Sequence, residues 1–317
     1  MRKRAAAGWL ALVLALPATP ALAARAKPDA PPRTAEGRPS LEGVWASNAL
    51  LLLEATPKTP DLVVPETQAQ ALARQVADQM ADGFDRGLDP EAPAMLRALD
   101  GFPRVRGERH TRLVVSPADG KLPYTPEARR EVQRPNRPAF DNPEDRPAPE
   151  RCLTGVGPPP MTTLNYATRL RIVQTRDHVV LHMEYGDDVR IVRLAAAHAP
   201  AATLPAQLGD SIGRWEGDTL VIETVGMPDA NRRHAFPTLL VPGGATVIER
   251  LTRVSKSELD YQFTVVDPKT FAGPWLGEFS WFATNQPTFE HACHEGNYSL
   301  PNILAGARHD EAAVAKR

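Results

Sequence analysis

Several things are missing from this 317-residue chain, and each absence narrows what it can be. After the first twenty or so residues no apolar run is long enough to cross a bilayer, so no membrane helix is expected in the remainder. No cluster of Lys and Arg stands out, so a nucleic-acid or anionic-membrane partner has no electrostatic footprint. There is no Gly-rich phosphate loop, no nucleophile-elbow motif and no HExxH. Cysteine is nearly absent too, with two residues, Cys152 and Cys293.

The N-terminus supplies what the rest lacks. Arg2, Lys3 and Arg4 form a basic region, an apolar stretch runs from Ala5 to about Leu16, and Ala21-Leu22-Ala23 has a small-x-small pattern. Pro17 and Pro20 interrupt the apolar stretch, which is too short for a membrane anchor. Residues 1–23 therefore read as a signal peptide cleaved after Ala23, giving a periplasmic or secreted protein. Its removal takes three positive charges from a formal net charge of −1, leaving −4. In an oxidising compartment an even pair of cysteines is expected to be joined. A Cys152–Cys293 bridge closes a loop of about 140 residues, which the chain-entropy model values at about 4–5 kcal/mol.

Residues 24–40, rich in Pro, Ala and charge, read as a flexible start to the mature chain. One β-rich domain over 41–317 follows. ETQAQALARQVADQMAD (66–82) has no Gly or Pro, and Leu72, Val76 and Met80 recur every four residues, as on a helix packed against something larger. RPNRPAFDNPEDRPAP (134–149) holds five prolines and reads as an extended belt. From Arg169 the period becomes two: LRIVQT, VVLHMEY, VRIVRL, TLVIET, TVIERLTRV, ELDYQFTVV and LGEFSWFA are strand candidates joined by short polar turns. The last stretch, from Asn302, reads as a short helix with a frayed tail. The fold expected is mainly β, an antiparallel barrel or sandwich with one or two peripheral helices.

Candidate sites follow from polar residues on apolar faces. A three-residue loop at 186–188 sets Glu184 opposite Arg190 and collects His182, Glu184 and Arg190 on one face, with Val189 and Ile191 on the other. That face is either solvated and ion-paired or a polar patch lining a cavity. In 246–266, a three-residue turn places Glu249 among Leu259, Tyr261, Phe263 and Val265, whereas a two-residue turn places Arg250 there. Either way one ionisable residue enters an apolar face. Trp275, Phe279 and Trp281 alternate on one strand face, as core or as an aromatic ligand wall. Glu216 and Asp218 flank Gly217 and belong to a hairpin turn rather than to a catalytic pair.

HACHEGNY (291–298) resembles a metal motif at first glance. In an extended chain His291 and His294 point apart, and only a helical turn gathers His291, His294 and Glu295. Gly296 and Asn297 suggest a strand that is ending, so no metal and no organic cofactor is assigned. His294 and Glu295 then stand beside the bridge as candidates for acid–base work.

The blocks DGKLPYTPEA (119–128), NPEDRPAPERC (142–152), GDSIGRWEGDTLVIET (209–224), VIERLTRV (247–254), VVDP (265–268), PW (274–275) and HACHEGNY together resemble a large family of secreted bacterial proteins, mostly uncharacterised. The resemblance implies an extracytoplasmic β-rich domain. In that family the position of His291 is often Tyr, which argues against a metal role there. SLEGVW (40–45) carries a Gly-x-Trp that is lipocalin-like and implies a barrel with an interior cavity. The leading functional expectation is a protein binding or processing a small, partly apolar molecule in a cavity, the ligand being its only expected partner. The alternatives are a cofactor-independent hydrolase, lyase or isomerase using His182, Glu184 and Arg190 or His294 and Glu295, and, less favoured, a zinc protein.

Overall fold

The computed structural model describes residues 30–84, 92–133, 142–163, 168–195, 197–198, 207–229 and 239–315. Residues 1–23, read above as a signal peptide, residues 24–29 and the first part of the Pro-rich belt lie outside these residues.

Period-two segments form the body. They are β1 (Gly43–Ala46), β6 (Arg169–Gln174), β7 (His178–Met183), β8 (Asp188–Arg193), β9 (Asp210–Glu216), β10 (Thr219–Val225), β11 (Thr246–Arg253), β12 (Glu258–Val266) and β13 (Trp275–Ala283). Each pairs with the next in that order, and β1 also pairs with β13, which closes a nine-stranded barrel. A short strand, β5 (Val114–Ser116), adds outside β13. The ladders are antiparallel except at β8–β9, which run parallel and share only two residue pairs, Val192 with Ser211 and Arg193 with Ile212. Side chains reinforce that short seam. Arg193 reaches the Asp210 carboxylate at 2.8 Å, and His198 bridges Asp210 at 2.8 Å and Glu223 at 3.2 Å.

The interior is packed with large side chains. Trp45, Tyr261, Phe263, Trp275, Phe279 and Trp281 are each less than 2% exposed. Their rings meet at tilted and edge-on angles with centroids 5.1–5.5 Å apart, as quadrupoles prefer. These aromatic side chains line the interior that the Gly-x-Trp strand helps to close. Gly277 makes the packing possible: a Cβ there would lie 2.4 Å from Phe263 Cζ. Trp45 itself donates from Nε1 to the Leu41 carbonyl at 3.0 Å, and the Arg253 guanidinium lies 4.8 Å from its ring.

One end of the barrel is plugged by Thr154–Thr163. Val156, Met161 and Thr162 are buried. Asp188 Oδ2 accepts from the backbone N–H of Gly155 (2.8 Å) and Gly157 (2.9 Å), and the Met161 N–H donates to the Tyr261 hydroxyl at 2.7 Å. Gly155 is required by contact, since a Cβ would sit 2.1 Å from the Tyr185 carbonyl oxygen.

A small sheet, ordered β2 (Val63–Val64), β4 (Glu108–His110) and β3 (Arg104–Val105), lies outside the barrel with α1 (Glu66–Phe84) and α2 (Ala92–Arg97). Two further helices, α3 (Pro126–Gln133) and α4 (Ser299–Val314), bring the described helices to four, more than the one or two expected. The apolar stripe of α1 packs against the neighbouring core as its spacing suggests, with a line of alanines beside it. Ala69, Ala73, Ala77 and Ala81 are its buried residues, and Leu72, Val76 and Met80 pack from the side, half-buried. Small side chains take the line of closest approach, and the longer ones flank it.

Candidate functional site

The polar centre of the barrel is built by three strands. Glu249 on β11 faces inward opposite Phe263, as the three-residue turn at Ser255–Ser257 requires, and is fully buried. Arg190 on β8, 3% exposed, meets it with both ends of its guanidinium: Nη1 to Oε2 at 2.5 Å and Nη2 to Oε1 at 2.8 Å. Tyr261 on β12 donates its hydroxyl to Glu249 Oε1 at 2.6 Å while accepting from the plug. Thr224 and Ser211 extend the group, with Oγ1 of Thr224 3.4 Å from Arg190 Nη1 and 2.8 Å from the Ser211 hydroxyl.

Burial penalises each of these charges, and pairing decides the outcome. For Arg190 burial works against the cation, yet the Glu249 carboxylate outweighs it and holds the guanidinium above its ordinary pKa. Burial, then the Glu249 charge, pushes the Tyr261 phenol well above its ordinary range, so it remains a neutral donor. Burial also raises Asp188, partly offset by the Gly157 and Gly155 N–H groups. Among the buried donors that find no partner among the described residues are Arg190 Nε, Trp275 Nε1 and Trp281 Nε1. A buried unmade hydrogen bond costs about 1–3 kcal/mol, so unpaired donors inside an aromatic barrel are the feature that most needs a reason.

Arg190 reaches this position through a register different from the one its hairpin pattern suggests. Asp188 stands opposite Met183 and Arg190 opposite Leu181, around a loop of Glu184–Asp187. That turns Arg190 inward and leaves Val189 and Ile191, expected inside, 50% and 56% exposed. The physical reason lies in tertiary contacts: Asp188 holds the plug and Arg190 neutralises Glu249, and both need the inner face. The expected group of His182, Glu184 and Arg190 is therefore not assembled. His182 faces outward and lies 2.6 Å from Asp187 Oδ1, and Glu184 pairs with Arg169 at 2.8 Å.

The remaining sequence candidates separate in the same way. Trp275, Phe279 and Trp281 share the barrel interior with Glu249. Arg250 points outward and binds Glu216 Oε2 at 3.0 Å, so Glu216 serves the hairpin turn and a surface ion pair. Cys152 and Cys293 stand at disulfide distance, 2.01 Å between sulfurs. HACHEGNY is not extended: Cys293–Gly296 forms a 3-10 turn after the last strand, so the bridge ties residue 152 to this turn rather than to a strand. His294 and Glu295 on it are exposed, while His291 packs its ring 4.7 Å from that of Tyr185. Among the described residues no group of three His, Cys, Asp or Glu is placed to hold a metal ion.

Sequence reasoning missed a second buried polar group, on the outer wall of the barrel. Asp260 on β12 and Glu278 on β13 lie under the small sheet, where Arg106 reaches Asp260 Oδ2 at 2.7 Å and Glu278 Oε2 at 3.0 Å. Glu258 accepts from the Arg106 N–H and the Ser280 hydroxyl, and His110 Nδ1 stands 3.5 Å from Glu278. Burial pushes the Asp260 carboxyl up to about 6 against the pull of Arg106, and burial lowers His110. The available signal was Asp260 and Gln262 alternating with the inward Tyr261 and Phe263, a pattern that marks the outer face without revealing that the small sheet covers it. Comparison with family models, with curated proteins and with solved structures finds no match to this chain.

Proposed function

We propose that this chain is an extracytoplasmic barrel of the secreted bacterial family its sequence blocks resemble, and that it binds or processes a small, partly apolar molecule inside the barrel. The observation that carries this reading is the unpaired Arg190 Nε, fully buried in an aromatic interior beside Glu249 and Tyr261. A ligand with an apolar body and an acceptor oxygen would pack on the aromatic rings and satisfy that donor. The plug meets this polar centre directly, through the Met161 N–H donating to the Tyr261 hydroxyl. Reaction types that need His182, Glu184 and Arg190 on one face have no assembled group to use.

The test is a titration of the mature protein with a chemically diverse set of apolar fluorophores and aliphatic alcohols. Saturable one-site binding is expected, weakened in Tyr261→Phe, which keeps the ring and removes the hydroxyl. Absence of saturable binding across the whole set would overturn the proposal.

A further inference from the structure

A groove of ligand-site size lies between α1 and α2 and the segment around Leu99–Gly101, with a volume of about 410 Å³. The floor is apolar: Leu50, Ala73, Ala77 and Leu96 are all at most 5% exposed. Two of the alanines of α1, Ala73 and Ala77, form part of this floor, where longer side chains would fill the trough.

The polar groups at the rim are mostly engaged. Arg97 is paired with Asp78 at 3.0 Å, Gln70 donates to Glu66 at 2.9 Å, and Asp100 faces Arg109 at 3.6 Å. Arg74 is different. It projects from α1 at the rim, is exposed, and among the described residues makes neither a hydrogen bond nor an ion pair. An apolar trough with one uncompensated guanidinium at its edge is complementary to a small monoanion with a short hydrocarbon tail, the head on the planar fork and the tail on the alanines.

We propose that the α1–α2 groove is a binding site for a medium-chain carboxylate, held by Arg74. This is independent of the barrel reading, since it uses other residues and an anionic rather than a neutral ligand. The experiment is calorimetric titration of the full mature chain with octanoate and with 1-octanol, repeated on Arg74→Gln and Arg74→Lys. Expected is saturable octanoate binding that weakens at least tenfold in Arg74→Gln and is partly restored in Arg74→Lys, whereas octanol binding is the same in all three proteins. Arg74 is exposed, so these variants are expected to fold, and unchanged circular dichroism checks this. Octanoate binding unaffected by Arg74→Gln, octanol binding weakened as much as octanoate binding, or no saturable octanoate binding would each overturn the proposal.

Discussion

At the scale of single residues, two buried charge networks set the behaviour of this protein. Removing one member of the Arg190–Glu249 pair leaves the other buried and uncompensated, a loss of about 3–5 kcal/mol. Replacing both by apolar residues of similar size removes the charge together with its desolvation cost. Arg190→Met and Glu249→Leu are thus each expected to be strongly destabilising, and the double variant much less so, as denaturant unfolding would measure. If the double variant loses the sum of the two singles, the pair does not act as a unit. The outer network gives a pH prediction. Asp260 has its folded pKa raised from 3.8 to about 6, so the folded state holds this proton more tightly than the unfolded chain. Below about pH 4 both states are protonated and nothing is lost. As pH rises towards 6 stability falls, and above that the cost is complete, about 2–3 kcal/mol. His110 works on the acid side: burial lowers its folded pKa, so stability is lost as pH falls through the ordinary histidine range. The stability of Asp260→Asn relative to the native protein should therefore improve between pH 4 and pH 7. A pH-independent difference would contradict the burial argument.

At the scale of elements, the strands were the most legible part of the sequence. Alternation marked β6, β7, β8, β10, β11, β12 and β13, because each has one face in the aromatic core. In β11–β12 the apolar face of Leu259, Tyr261, Phe263 and Val265 narrowed the register to two alternatives, Glu249 or Arg250 inward, and the three-residue turn with Glu249 inward is the one that forms. The pattern was misleading in β7–β8. There Val189 and Ile191 look like core residues, and only a carboxylate on β11 and a plug 31 residues upstream explain why Arg190 and Asp188 go inside. No local pattern carries that information. The α1 stripe was legible: Leu72, Val76 and Met80 pack on the neighbouring core, although Ala73 and Ala77 beside them are the more deeply buried. Gly277 provides a test of strand packing. Gly277→Ala would place a methyl group against the Phe263 ring, an overpacking expected to cost about 1–3 kcal/mol. Unchanged thermal stability would show that the ring has room to move.

At the scale of the whole molecule, closure was readable only as a class. Many strands and short turns pointed to a barrel or sandwich, but the pairing of β1 with both β6 and β13 depends on contacts more than 100 residues apart. The Cys152–Cys293 link is also long-range, spanning 141 residues, and here compartment chemistry was a sufficient guide. Cys152→Ser with Cys293→Ser is expected to lower stability by up to about 4–5 kcal/mol in the chain-entropy account, and mass spectrometry of the non-reduced native protein should find no free thiol. The small outer sheet and its carboxylate group were not legible, because nothing in either segment announces that one covers the other. The candidate site was half legible: the aromatic wall was visible, Glu249 was one of two alternatives, and whether the face of Arg190 looked inward or to solvent was left open.

The central claim is that a ligand enters the aromatic interior, and the tryptophans that line it report on this directly. Trp45, Trp275 and Trp281 are buried there. The deciding measurement is tryptophan emission during titration with a neutral brominated alcohol, a short-range quencher. The account predicts saturable quenching that is weakened in Tyr261→Phe. Saturable binding by calorimetry with tryptophan emission unchanged would place the ligand elsewhere and contradict it.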